Sequence, residues 1–149
     1  MPAATPMPSS TLIRESASVI HFHTSEEAPH LVIEMSGPMT RDAVCLGFDR
    51  FLTVLGSLPP QFVMLATYPD VPRIDPDAVG PLFSVVVRLF DADPGLCVFV
   101  NGGKSLHPGL RHFITRVGGE SQVAFVPTVA EAFDCIGGQQ PPLRVPLGR

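Results

Sequence analysis

Two carboxylates, Asp75 and Asp77, stand in the stretch Ile74-Asp75-Pro76-Asp77-Ala78-Val79-Gly80, between one apolar run and the next. A carboxylate pair can share acid/base work or hold a cation. The groups that would complete such a site, Thr40 and Asp70, are not arranged with it in any motif, and no His motif stands beside the pair. His21 and His23, spaced i, i+2, would share one side of a strand and can ligate a metal ion. No third ligand is evident next to them, so they read as a surface pair on an edge strand and no metal is expected. Asn101-Gly102-Gly103-Lys104-Ser105 ends like a phosphate-binding loop, but the first Gly of Gly-x-x-x-x-Gly-Lys-[Ser/Thr] would fall at position 98, which is Val98. The N–H groups of Gly102, Gly103, Lys104 and Ser105 could still form an anion-binding nest. Cys45, Cys97 and Cys135 are odd in number, far apart and set in apolar runs, so they read as small buried hydrophobes. No nucleophile, base and orienting group can be assembled from these residues, and neither catalysis nor a cofactor is expected.

The elements that must position these residues follow from periodicity. Leu31, Ile33 and Met35 alternate with Glu34 and Ser36, and an earlier strand over Ser18 to His23 would join them through a hairpin at Ser25 to Pro29. Thr40 is placed to cap a helix with Val44, Phe48, Phe51, Leu52 and Leu55 on one face, stopped by Gly56 and Pro59-Pro60. Phe62 to Thr67 and Leu96 to Val100 are apolar runs of the kind found in strands covered on both faces. Between them, after a loop over Tyr68 to Arg73, the polar spacing of Ser84, Arg88 and Asp91 selects a helix over the strand that Val85-Val86-Val87 would favour. Because Pro81 is tolerated only in a first helical turn, Asp77 is the expected N-cap. A third helix carries Leu106, Leu110, Phe113, Ile114 and Val117, with His112, Arg111, Thr115 and Arg116 on its solvated face. A short strand at Val123 to Val126 precedes a capping box, Thr128 to Glu131, that opens a last helix with Val129, Ala132, Phe133 and Ile136 turned inward. The fold class is α/β: a mixed sheet of about five strands packed with about four helices.

The order and spacing of these pieces resemble the STAS domain of anti-sigma-factor antagonists, over about His30 to Gly137. In that family the turn reads roughly apolar-Asp-Ser-Ser-Gly-Leu-Gly, and a partner kinase that doubles as the anti-sigma factor phosphorylates the second Ser. Asp75 matches the Asp and Gly80 the last Gly, while Pro76 and Asp77 replace the serines and Ala78 the first Gly. Ser36-Gly37-Pro38-Met39-Thr40 aligns with the family's Gly-Glu-Leu-Asp segment, Thr40 taking the place of the Asp, and Pro127 to Phe133 resembles the start of its last helix. The resemblance implies a non-catalytic regulatory module in a partner-switching or stressosome-like pathway. Its docking surface would comprise Thr40, Asp75, Pro76, Asp77, Ala78, Ser84 and Arg88. The implied partner is a serine kinase related to anti-sigma factors, or another STAS protein. Asp77 would supply a fixed charge of −1 where a phosphate carries about −1.5 to −2. A ligand-binding module using the Gly102 to Ser105 loop, and an assembly scaffold, are the alternatives.

Composition sets the outer bounds. With 149 residues and 45% apolar content, the chain fits one domain with a sizeable core, here residues 12–138, flanked by Pro-rich tails over 1–11 and 139–149. A net charge of −4 with no basic run argues against nucleic acid. Residues Met1 to Thr11 lack the pattern of a signal peptide, and no apolar run nears the ~20 residues of a membrane span. A cytoplasmic protein that does not insert in membranes is expected.

Overall fold

The mixed sheet is present and, among the described residues, has six strands rather than about five. The computed structural model describes residues 9–15, 17–70, 73–100, 108–118 and 122–138. Along the chain run β1 (Ser9–Glu15), β2 (Ser18–Thr24), β3 (Leu31–Ser36), α1 (Arg41–Leu55), β4 (Val63–Asp70), α2 (Pro76–Asp91), β5 (Leu96–Val100), α3 (Pro108–Gly118), β6 (Val123–Val126) and α4 (Val129–Gly138). The added strand, β1, takes in Ser9, Ser10 and Thr11 from the span expected as a tail. Of its side chains Ile13 packs against the core, which leaves little periodic signal to read. Strand β4 runs on through Tyr68 to Asp70, where a loop was expected.

Strands lie in chain order across the sheet. The first three pair antiparallel and β3 to β6 pair parallel. A parallel crossover is almost always right-handed, so steps taken one strand at a time in one direction put every crossover helix on the same face. The packing obeys this: Val44 and Phe51 of α1, Leu82 and Val86 of α2 and Ile114 of α3 share one core with Ile20, Phe22, Ile33, Met64, Cys97 and Phe99. Rings lock the layer, with Phe83 of α2 stacked on Phe113 of α3 at 4.3 Å between centroids. On the other face, Ala132 and Ile136 of α4 cover Leu65, Val98 and Val100 in a smaller second core.

That asymmetry corrects several expectations. Helix α4 meets the sheet along one narrow stripe, so Val129 and Phe133 face outward at 45% and 49% exposure. Val117 at the end of α3 is likewise exposed. Arg111 is not simply solvated, since its guanidinium lies 4.4 Å from the centroid of the Phe125 ring. Strand β2 is interior to the sheet, with β1 outside it, so His21 and His23 are not on an edge. Cys97 is fully buried and Cys45 and Cys135 partly so, all three as free thiols. Among the described residues no helix is long and apolar enough to cross a membrane.

Candidate partner-docking site

The loop before α1 and the turn before α2 are stitched together at one end of the parallel strands. Met39 and Ile74 form a parallel bridge, with Met39 N donating to Arg73 O at 3.0 Å and Asp75 N to Met39 O at 2.9 Å. The first loop is itself fixed. Gly37 sits at φ +79°, a conformation that favours Gly, and a Cβ there would lie 2.0 Å from the carbonyl oxygen of Ala17. Buried Ser18 donates its hydroxyl to Pro38 O, and Met39 is itself buried. The start of α2 is therefore held by backbone hydrogen bonds to a loop that has little freedom to move.

Thr40 caps α1 as expected, its Oγ1 accepting from Ala43 N at 3.2 Å. The cap of α2 differs from expectation. Asp75 is the N-cap and Asp77 lies inside the first turn. Pro76 occupies the first helical position, where its fixed φ suits the helix and its missing N–H is not needed. Asp75 makes no side-chain cap bond, because its carboxylate is taken by Arg73 Nε at 2.9 Å. The two acids thus do different things: Asp75 is half-buried in an ion pair, while Asp77 is exposed at the positive end of the helix dipole.

Arg41 explains how α2 can begin a full turn ahead of Pro81. That proline lies in the second turn, and its missing N–H deprives the carbonyl four residues back, that of Asp77, of its helical partner. Arg41, the first residue of α1, donates from Nη1 to that oxygen at 3.2 Å. Arg41 was missed from the sequence, although a Pro in a helix's second turn is a signal that some donor must serve the orphaned carbonyl.

Beyond the turn, Ala78 is fully buried under α2, while Pro76, Asp77, Gly80, Ser84, Val87 and Arg88 are exposed. A Cβ at Gly80 would meet nothing within 4 Å, so the first turns of α2 present bare backbone. Ser84 Oγ reaches back to Gly80 O at 3.4 Å, a long bond that leaves the hydroxyl accessible. The structure therefore brings Thr40, Asp75, Pro76, Asp77 and Ala78 into one neighbourhood, with Ser84 and Arg88 farther along the exposed side of α2. Gly102, Gly103, Lys104 and Ser105 lie outside the described residues, as do Leu106 and His107.

No protein-family model matches the chain, and no curated protein matches it. Solved structures do. An uncharacterized protein of the DUF3478 family from Shewanella loihica PV-4, described as having a SpoIIAA-like fold, superposes with a TM-score of 0.57 at 13% identity, covering 90% of this chain and 98% of that one. The anti-sigma factor antagonist SpoIIAA in its unphosphorylated form gives a TM-score of 0.53 at 17% identity, covering 78% of this chain and 98% of that one. The fold is SpoIIAA-like. At such identities the likeness concerns architecture: the STAS-type mixed sheet that the spacing of motifs implied. What the SpoIIAA-like frame supplies in this chain is a helix start raised at one end of the sheet, with an acid at its second position.

Proposed function

We propose that this chain is a non-catalytic regulatory module that binds a protein partner through the turn at Arg73 to Gly80 and the outer side of α2. The observation that carries the reading is the open start of α2. Asp77 and Gly80 stand exposed on a backbone fixed by the Met39 bridge and the Arg41 clamp, a pre-organised surface that would lose little freedom on docking. Val87, 39% exposed between Ser84 and Arg88, supplies an apolar centre with a polar rim. The SpoIIAA-like fold and the match of Asp75 and Gly80 to the antagonist turn support a partner of the anti-sigma-factor serine kinase class, or another STAS protein, in partner-switching signalling. On this reading Asp77 is a permanent charge at the position of the phosphoacceptor and selects partners that tolerate an acid there.

The test is a titration of the full chain with an ATPase-fold serine kinase of the anti-sigma-factor class, using wild type and Asp77→Asn. Asp77 makes no cap bond, so the substitution removes a dipole interaction alone and should change stability by under about 1 kcal/mol. Affinity should shift by about tenfold or more, equivalent to about 1.4 kcal/mol. Equal affinities would refute the charge-selection role. In parallel, Asp77→Ser should gain phosphate at residue 77 when incubated with the kinase and analysed by mass spectrometry, whereas modification of the wild type at Ser84 or Thr40 would show that the switch resides elsewhere.

A further inference from the structure

We propose that His21, His23 and Glu34 form a binding site for a divalent first-row transition ion of the zinc or cobalt class. The site lies on the sheet face opposite the three crossover helices, shares no residue with the docking turn, and is independent of the proposed function. In the β2–β3 register His21 stands directly opposite Glu34, and His23 follows two residues on, on the same side. One ligand atom from each residue falls within 4.8 Å of the other two. Glu34 Oε1 is 3.7 Å from His21 Nδ1 and 3.6 Å from His23 Nε2. With metal–ligand bonds of about 2.0–2.2 Å, a tetrahedral ion holds its ligand atoms ~3.3 Å apart. The two Glu34 legs are already within a few tenths of an ångström of that, and the leg between the imidazoles, within 4.8 Å, closes by rotation of the two rings. The imidazoles already lie together, their centroids 3.9 Å apart.

The surroundings add the support a metal-binding His requires. Ser10 of β1 is hydrogen-bonded to His21 Nε2, the ring nitrogen that does not face Glu34. In the tautomer that carries the hydrogen on Nε2, that N–H donates to Ser10 Oγ and the Nδ1 lone pair is left toward Glu34, the outer-shell arrangement that fixes ring orientation in metal sites. The three side chains are 29%, 41% and 52% exposed, so an ion can reach them. Two imidazoles and one carboxylate suit zinc and its neighbours better than calcium or magnesium, which take all-oxygen sets. Three protein ligands leave a coordination position for water or an outside donor. His21 and Glu34 also line a cleft of about 660 Å³ shared with Thr67, Val100, Thr128 and Val129, from which such a donor could come.

The test uses the tag-free full chain, stripped with chelator and titrated with Co²⁺ and Zn²⁺ by calorimetry. One equivalent of each ion should bind wild type. His23→Gln and Glu34→Gln should each weaken binding at least tenfold, His21→Gln/His23→Gln should abolish it, and Ser10→Ala should weaken it by about tenfold or more. His112→Gln and Cys135→Ser should leave it unchanged. In the wild type itself, paramagnetic Co²⁺ should shift the imidazole NMR signals of His21 and His23 and leave that of His112 in place. Absence of stoichiometric binding, binding that survives in the double variant, or unshifted His21 and His23 signals would overturn the proposal.

Discussion

Arg41 and Pro81 should be energetically coupled although they are far apart in sequence, and the sign of the coupling follows from one carbonyl. In the wild type, Asp77 O lacks its helical donor because residue 81 is Pro, and the Arg41 guanidinium takes that place at 3.2 Å. Arg41→Met keeps most of the aliphatic stem and removes the donor. A net hydrogen bond is worth about 1 kcal/mol, so stability should fall by about that amount and the unfolding midpoint by about 2–4 °C. Pro81→Ala restores the N–H and removes the ring's clash with the same carbonyl. It should stabilise the protein by about 2 kcal/mol, the helix-interior penalty of about 3 kcal/mol for Pro being partly offset, by about 0.4–1 kcal/mol, by the greater freedom Ala has in the unfolded chain. In the Pro81→Ala background Arg41→Met should then cause only a few tenths of a kcal/mol of loss, because residue 81 now serves the carbonyl. Urea unfolding of the four proteins gives the coupling energy, expected at about 0.5–1 kcal/mol. Additivity within about 0.3 kcal/mol would mean that Arg41 does not replace the missing helical bond, and the account of how α2 starts ahead of Pro81 would be wrong.

Two further predictions concern the docking surface and the hairpin. Gly80 is in the helix and a Cβ there would meet nothing beyond its chain neighbours, but it precedes Pro81, whose Cδ disfavours helical backbone for a residue with a Cβ. The gain of about 0.5–1 kcal/mol for Ala over Gly should therefore be largely cancelled, and Gly80→Ala should change stability by under about 0.5 kcal/mol; if a partner's backbone approaches there, the same substitution should lower partner affinity at least tenfold, and undiminished affinity would remove Gly80 from the interface. Partial burial lowers the pKa of His30 below its ordinary value of 6.5, and its Nδ1 accepts from Val63 N at 3.0 Å, which protonation would abolish. The unfolded chain then binds a proton that the native state resists, so this contribution to stability is present above about pH 6.5 and declines as pH falls below it. Unfolding midpoints measured from pH 8 to 5 should drop more steeply for wild type than for His30→Asn, and parallel profiles would count against the assignment.

The parts of the fold legible from sequence were those where a single local rule decides. The polar spacing of Ser84, Arg88 and Asp91 overrode the β propensity of three consecutive valines, and α2 spans them as a helix. Thr40 and Thr128 could be recognised as caps because a Ser or Thr at a helix start needs only the N–H three residues ahead, here Ala43 and Glu131. The errors came where a partner distant in sequence decides. Reading Pro81 by its own rule moved the helix start to Asp77; Arg41, forty residues earlier, relaxes that rule. Val129 and Phe133 satisfied helical periodicity, but periodicity does not say how wide a stripe the facing layer covers. With α4 on its face of the sheet, the covered stripe is Ala132, Cys135 and Ile136.

Register decides the remaining case, and it could have been read. A hairpin turn confined to Ser25 to Pro29 would put Thr24 opposite His30 and His21 opposite Ile33. Directly opposed residues in an antiparallel pair point to the same face, and Ile33 shares the core-facing side of β3 with Leu31 and Met35, so that pairing would bury His21 in the main core. Lengthening the turn by one residue removes the conflict: Leu31 pairs with Thr24, Ile33 with Phe22 inside, and Glu34 with His21 outside. The same parity that buries Ile20 and Phe22 therefore obliges His21, His23 and Glu34 to share the open face. A third potential ligand was implicit in the alternation of β3, the strand paired directly with that of the histidines, and a one-residue change in turn length is what separates a histidine pair from a three-ligand cluster.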